Sequence, residues 1–113
     1  MKYIDIAQRL ESSSALTQEQ GNIIYKEIDS AFQNQDSIIL DFSNMELIIA
    51  PFFSRSIGRL YEQYTDEQIQ ALLKMKAFPK EKQNTLNLVI SNAKRYYADR
   101  QSFEASVRNI LES

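Results

Sequence analysis

The chain contains neither histidine nor cysteine, so its chemistry is confined to carboxylates, hydroxyls, lysines and tyrosines. Without histidine it lacks the usual general base and the commonest metal ligand. Without cysteine it has no thiolate nucleophile, sulfur metal site or disulfide, which fits a reducing compartment. Serine, lysine and aspartate are present, but no G-x-S-x-G elbow or glycine-rich phosphate loop accompanies them. We therefore expect a protein that is not an enzyme and that uses no metal or cofactor.

Asp41 is the carboxylate that draws most attention, because it closes the apolar run SIILDF. An acid at the carboxyl end of a strand in an open α/β sheet can bind a metal or a phosphate. No second carboxylate stands at a ligand-like spacing from it. We therefore interpret Asp41 as an acceptor for backbone donors where the strand turns.

A second set of polar residues follows Pro51, on the face of a predicted helix opposite its apolar stripe: Ser54, Arg55, Gly58, Arg59 and Glu62. Arg55 and Arg59 are one turn apart and can pair with a partner's acidic side chains or with a phosphate, or can remain solvated. Gly58 costs about 1 kcal/mol relative to alanine inside a helix. Two reasons for it stay open, a close approach by a partner's backbone and close packing within the domain.

Charge and hydropathy exclude other classes of protein. The formal net charge is -2, with three basic and eight acidic residues in 1–51 against ten and seven in the remainder. A chain this near to neutral lacks the basic excess of a nucleic-acid binder, so nucleic acid is an unlikely partner, and the lysines of KMKAFPKEK are read as a solubilising surface. Charged residues interrupt every apolar run near the N-terminus, which predicts a cytoplasmic protein with no membrane contact.

The first half of the chain predicts strand, helix, strand and helix. YIDI alternates as a half-buried strand with Ile4 and Ile6 inward, and ESSSALT reads as a connector. Thr17 and Gln20 have the capping-box spacing that opens a helix. SIILDF is typical of a central strand covered on both faces, and ELIIA extends the chain again before Pro51 starts a helix. The apolar stripe of that helix comprises Phe53, Ile57, Leu60, Tyr61 and Tyr64.

The second half predicts helix, strand and helix. Thr65 and Gln68 repeat the capping-box spacing, and the helix that they open ends before Pro79. TLNLVI alternates and is predicted to be a strand. Residues 93–111 form one helix or two, with a second apolar stripe: Phe103, Val107, Ile110 and Leu111. This order favours one α/β domain over residues 1–113, with helices packed on a mostly parallel sheet of about four strands.

The run IILDFSNMELIIAPFFSRSIGRL resembles the signature of the STAS-like domains of unknown function, distant relatives of the anti-sigma factor antagonists. The matching pieces are Leu40 to Phe42, Glu46 to Ile48, Phe52, and Gly58 to Leu60. The resemblance spans about residues 3–92 and is dense only in 38–60. It implies a STAS-like fold and a regulatory module that binds a protein partner.

The resemblance implies docking through the helix after the central strand, onto a histidine-kinase-like ATPase that phosphorylates a serine where that helix begins. Phosphate would place nearly two negative charges in the docking surface. This chain has Ala50 and Pro51 at that point, so the usual phosphoserine switch is not expected. Ser54 and Ser56, further along, are the possible phosphorylation sites. The partner-binding residues that this reading predicts are Pro51, Phe52, Ser54, Arg55, Gly58, Arg59 and Glu62.

Two alternatives come from other classes of function. The first is a nucleotide or phosphate ligand bound by the free backbone donors at the start of the Pro51 helix. The second is a homodimeric structural subunit that binds no separate ligand.

Overall fold

The computed structural model describes the backbone of residues 1–112 and the side chains of residues 1–98. The strands of this region are Lys2–Asp5 (β1), Ser14–Ala15 (β2), Ile38–Asp41 (β3), Leu47–Ile48 (β4) and Leu73–Lys76 (β5). Its α-helices are Ile6–Leu10 (α1), Gln18–Gln33 (α2), Ala50–Ser56 (α3), Asp66–Leu72 (α4) and Gln83–Glu112 (α5). Two 3₁₀ helices are Gly58–Glu62 (η1) and Lys80–Lys82 (η2).

The strands form two parallel sheets. The larger has the order β1-β3-β5, which confirms β3 as the central strand, and the smaller pairs β2 with β4. The α/β class and the parallel sheet are thus as predicted. A central sheet of about four strands is not found, because the two short strands pair with each other as a separate ribbon.

The two faces of the three-stranded sheet differ sharply. Ile38 and Leu40 of β3 point to the helices and are buried. The opposite face carries the row that joins Tyr3, Ile39 and Lys74 across the three strands. Tyr3 is 51% exposed, and Lys74 is exposed too. The prediction that β3 is covered on both faces is therefore wrong for this second face, which we call the open face.

Helix α2 begins with the predicted capping box, in which Thr17 and Gln20 satisfy each other's backbone donors. Its buried face includes Ile24 and Ile28, which pack into the core. Gly21, one turn into α2, lies against α3. A Cβ atom built on Gly21 would lie 2.7 Å from the Cβ of Arg55 and 2.8 Å from the carbonyl oxygen of Phe52. The two helices therefore touch backbone to backbone at this glycine.

The predicted stripe after Pro51 is confirmed: Phe53, Ile57 and Leu60 are buried, and Tyr61 and Tyr64 are half-buried. The helix is not continuous, however. Helix α3 ends at Ser56, and η1 continues the chain with the tighter 3₁₀ winding. Helix α5 packs against both, burying Leu86 and Val89.

The elements differ from the sequence predictions in three places. TLNLVI lies within α5, and its Leu88 is 63% exposed. The helix after Thr65 ends at Leu72, where the chain continues directly as strand β5. ESSSALT is not only a connector, because it contains β2. Residues 93–111 belong to one helix, while the side chains of their predicted apolar stripe lie outside the described residues.

The contact at Gly21 makes a sharp prediction. Gly21→Ala places a methyl group inside the van der Waals radius of the α3 backbone, so we expect the free energy of unfolding to fall by about 1–3 kcal/mol. Gly58→Ala is the matched control, since its new Cβ would lie 3.4 Å or more from Val89, Ala93 and the Phe53 carbonyl. The control should be unchanged or more stable by up to about 1 kcal/mol. Urea denaturation measures both, and equal losses would refute the assignment of Gly21.

Candidate functional site

The β2–β4 ribbon carries two exposed leucines next to α3. Ser14 pairs with Leu47 and Ala15 with Ile48, and the Ile49 amide donates to the Ala15 carbonyl over 3.1 Å. Ala15 and Ile48 are buried against the core, so their chain neighbours point outwards. Leu16 is 40% exposed and Leu47 is 45% exposed. Few large apolar side chains of the described residues are as accessible as these.

Helix α3 continues this surface. Its first residues Ala50 and Pro51 are exposed, and Ser54 and Arg55 are exposed one turn later. The contact between Gly21 and Arg55 holds the start of α2, which follows Leu16, against the same helix. We call Leu16, Leu47, Pro51, Ser54 and Arg55 the ribbon–α3 surface. It combines apolar side chains with one guanidinium group.

The start of α3 is poorly equipped to hold an anion. The N-cap residue Ile49 makes no side-chain capping bond, and the proline in the first turn has no backbone N–H to donate. The helix also has only seven residues. These features weaken the alternative of a phosphate ligand at this position.

The two arginines have different surroundings. The guanidinium carbon of Arg59 lies 4.3 Å from the ring centroid of Tyr25, so Arg59 is stacked on α2 in a cation–π contact. It is half-buried, as is Glu62, whereas Arg55 is exposed. Burial raises the pKa of the Tyr25 phenol, and Asp29 adds to this, while the nearby Arg59 acts against it. Arg59 thus serves the packing of the domain as well as its surface.

Three of the predicted site residues lie inside the domain. Phe52 and Ser56 are 1% and 0% exposed, and the Ser56 hydroxyl donates to the Phe52 carbonyl over 2.8 Å. Gly58 is buried beside α5, so its placement on an exposed face was wrong. The change from α-helical to 3₁₀ winding rotates this residue inwards. Of the two serines predicted for phosphorylation, Ser54 is accessible in the folded chain and Ser56 is not; neither role is tested.

A polar cluster that the sequence did not predict occupies the open face at the carboxyl ends of the strands. The register places Asp5, Asp41 and Lys76 side by side across the sheet. Asp41 accepts hydrogen bonds from the Ser43 amide at 2.9 Å, from the Ser43 hydroxyl at 2.5 Å and from the Tyr3 hydroxyl. The Lys76 ammonium lies 3.4 Å from the Tyr3 oxygen.

These contacts assign Asp41 its role. Hydrogen bonds from Ser43 and then Tyr3 lower the pKa of the Asp41 carboxyl from 3.8 to about 2, because they stabilise its charged form. The interpretation of Asp41 as an acceptor at the strand-to-turn junction is confirmed. Tyr3 and Lys76 were not foreseen as its neighbours, since only the strand register brings them together, whereas Ser43 lies in the turn that follows Asp41. Among the described residues no group of three or more acidic residues is placed to hold a metal ion.

The model of the STAS-like domain of unknown function matches residues 20–82, more than half of the chain. The chain belongs to this family. The resemblance noted in the run from Ile38 to Leu60 is thereby confirmed. Comparison of the chain with curated proteins and with solved structures found no match.

The part of this STAS-like domain that matches the family runs from α2 to η2. It includes β3, β4, α3 and the contact at Gly21, and therefore most of the ribbon–α3 surface. Strand β1 and helix α5 lie outside it, so Tyr3 of the polar cluster lies outside while Asp41, Ser43 and Lys76 lie within. In the part of the chain that the structure describes, none of the helices has the length and apolar character needed to cross a membrane.

The lowered pKa of Asp41 predicts a pH dependence of stability. The charged carboxylate is favoured in the folded state, so its contribution is present above the ordinary pKa of 3.8 and is lost as the pH falls towards about 2. We expect the stability difference between the wild-type STAS-like domain and Asp41→Asn to shrink over this range. Urea denaturation at a series of pH values measures it.

The exposed residue Glu81 supplies the control. Glu81→Gln, measured in the same way, shows how stability responds to the loss of a carboxylate that is not one of the partners of Tyr3 and Ser43. A difference for Asp41→Asn that stays constant as the pH falls would contradict the assigned hydrogen bonds.

Proposed function

We propose that this STAS-like domain is a non-catalytic regulatory module that binds a protein partner through the ribbon–α3 surface. The observation that carries the proposal is the exposure of Leu16 and Leu47, at the end of β2 and in β4, together with the exposed Arg55 on α3, the helix that follows β4. The buried centre of an interface is more apolar than the rest of the surface, and arginine is among the residues that contribute most to binding energy. The surface also lies largely within the segment that defines the family.

The proposed partner is an ATPase of the histidine-kinase-like type, as the likeness to the anti-sigma factor antagonists implies. Leu16 and Leu47 would enter an apolar depression on the partner, and Arg55 would pair with one of its carboxylates. The apolar contacts stabilise the complex, whereas the arginine contributes mainly to orientation and association rate and makes binding sensitive to salt. Release at high salt would thus be partial.

Regulation by phosphate at the usual position is excluded by chemistry, because Ala50 and Pro51 have no hydroxyl group. Ser54 is exposed one turn further along α3. A phosphate there would add negative charge next to Arg55 and weaken its pairing with a partner's carboxylate. Ser54 is therefore the proposed site for any phosphorylation that regulates this surface.

The proposal is tested with purified ATP-binding domains of the histidine-kinase-like ATPases encoded in the source genome, titrated with the domain by calorimetry. For the partner that binds, Leu47→Ser and Arg55→Glu should each raise the dissociation constant about tenfold or more. Arg59→Glu is a poorer probe, because it would also remove the stacking on Tyr25.

Leu88→Ser is the control, since Leu88 on α5 is an apolar residue even more exposed than Leu47, at 63% against 45%, and lies outside the proposed surface. The Leu88→Ser variant should bind the ATPase with the same dissociation constant as the wild type. If the two surface variants bind as tightly as this control, the interface is misplaced. If none of the ATPases binds, the proposed class of partner is wrong.

A further inference from the structure

The three-stranded sheet has two edges among the described residues, and they are protected very differently. Strand β5 forms one edge and carries Lys74 and Lys76, both exposed. Lysines on an edge strand are a common defence against pairing with another sheet, because their charges repel and their solvation is costly to remove. Strand β1 forms the other edge. Its own lysine, Lys2, is held by Glu27 on α2 at 2.5 Å and does not guard the edge.

At this edge the backbone N–H and C=O of Tyr3 point away from the sheet, whereas the carbonyl of Asp5 starts helix α1, of which Asp5 is the N-cap. The Lys2 amide donates to the Ser37 carbonyl over 2.9 Å, so Lys2 points towards β3. Because backbone groups alternate in direction along a parallel strand, Ile4 also points towards β3, and Tyr3 and Asp5 point away. No described strand pairs with β1 on that side.

A groove of about 560 Å³ runs beside β1. Helix α1 forms its wall, and its lining mixes the half-buried aliphatic side chains of Ile4, Leu10 and Ile23 with polar and charged residues, among them Asp5, Arg9 and Glu11. On the opposite face of the sheet the Tyr3 ring is 51% exposed. A strand added at this edge would therefore cover aliphatic side chains on one face of the sheet and the Tyr3 ring on the other, while backbone hydrogen bonds supply the affinity.

We propose that two copies of this chain pair through β1, antiparallel, with the two-fold axis at Tyr3. The two sheets then continue as one six-stranded sheet, and each Tyr3 exchanges both backbone hydrogen bonds with its copy. The two Tyr3 rings lie side by side on the open face, and aromatic pairs of this kind stabilise antiparallel strands. The stem of Lys2 in each copy comes to lie opposite Ile4 of the other.

Charge favours a second copy at β1 and opposes one at β5. Residues opposite each other in an antiparallel pair lie on the same face of the sheet. Because side chains alternate between the faces, a residue can therefore face only itself or residues an even number of positions away in the copy. When the two-fold axis lies at Tyr3, no like charges face each other across the two β1 strands. Met75 is the equivalent outward residue of β5. If the axis lay there, Lys74 of one copy would face Lys76 of the other. The symmetric pairing thus suits one edge and is blocked at the other.

Sedimentation of the full chain tests the pairing. We expect a mass twice that of the 13.1 kDa chain. Tyr3→Pro removes the outward N–H without touching the bonds to β3, and should raise the dissociation constant about a hundredfold. Tyr3→Ala is the matched control, because it loses the ring and the bond to Asp41 but keeps the N–H, and its dissociation constant should rise about tenfold or less. A wild type that stays monomeric at millimolar concentration overturns the proposal, as does an equal loss in both variants.

A cross-link gives a readout that survives any loss of stability in the proline variant. The chain has no cysteine, so a single introduced thiol reports on symmetric contacts alone. Backbone-bonded antiparallel pairs have Cα atoms about 5.5 Å apart, within the range of a disulfide. Tyr3→Cys should oxidise rapidly to a covalent dimer, and Met75→Cys, the equivalent outward residue of the other edge, should not. Equal or slower cross-linking of Tyr3→Cys would refute the pairing. Since no ATPase takes part, the result is independent of the proposed function.

Discussion

The arrangement of this domain depends on the contact between helices α2 and α3 at Gly21. A side chain at this position would collide with the backbone of α3, so only glycine lets the two helices approach so closely. The approach directs Phe52 and Phe53 into the core, where both are fully buried. It also holds the start of α2, which follows Leu16, against the helix that carries Arg55. Packing inside the domain and the composition of the proposed docking surface thus follow from one steric constraint.

The three-stranded sheet divides the molecule into a covered side and an open side. Helices bury Ile38 and Leu40, whereas the other face shows Tyr3 and Lys74 to solvent. Parallel sheets are usually covered on both faces, which makes the open face unusual. The polar cluster around Asp41 accounts for part of it, because three hydrogen bonds to one carboxylate join the end of β3 to β1 and to the following turn. On this face, partly exposed hydrogen bonds join the strands where other parallel sheets are covered by a second layer of helices.

Several elements could be predicted because local signals agreed with tertiary packing. Both capping boxes, at Thr17 and at Thr65, form as their spacing indicated. The strand predicted at TLNLVI was wrong because a short run of residues can match both the two-residue repeat of a strand and the helical repeat. Leu86, Leu88 and Ile90 alternate like a strand, yet Leu86, Val89 and Ala93 also recur at helical spacing. The second pattern is the real one, since α5 buries Leu86 and Val89 and leaves Leu88 exposed.

The sequence by itself determined the family, the α/β class, the central strand, the buried stripe after Pro51 and the lack of histidine and cysteine chemistry. These follow from residue types and short spacings, which act within a few turns of chain. Only the tertiary structure decided that Leu73 to Lys76 form a strand, that Gly58 faces inwards and that Gly21 is the indispensable glycine. It also joined Tyr3 to Asp41 and paired β2 with β4. Each of these depends on strand register or helix approach between distant segments, and no local pattern of side chains encodes such contacts.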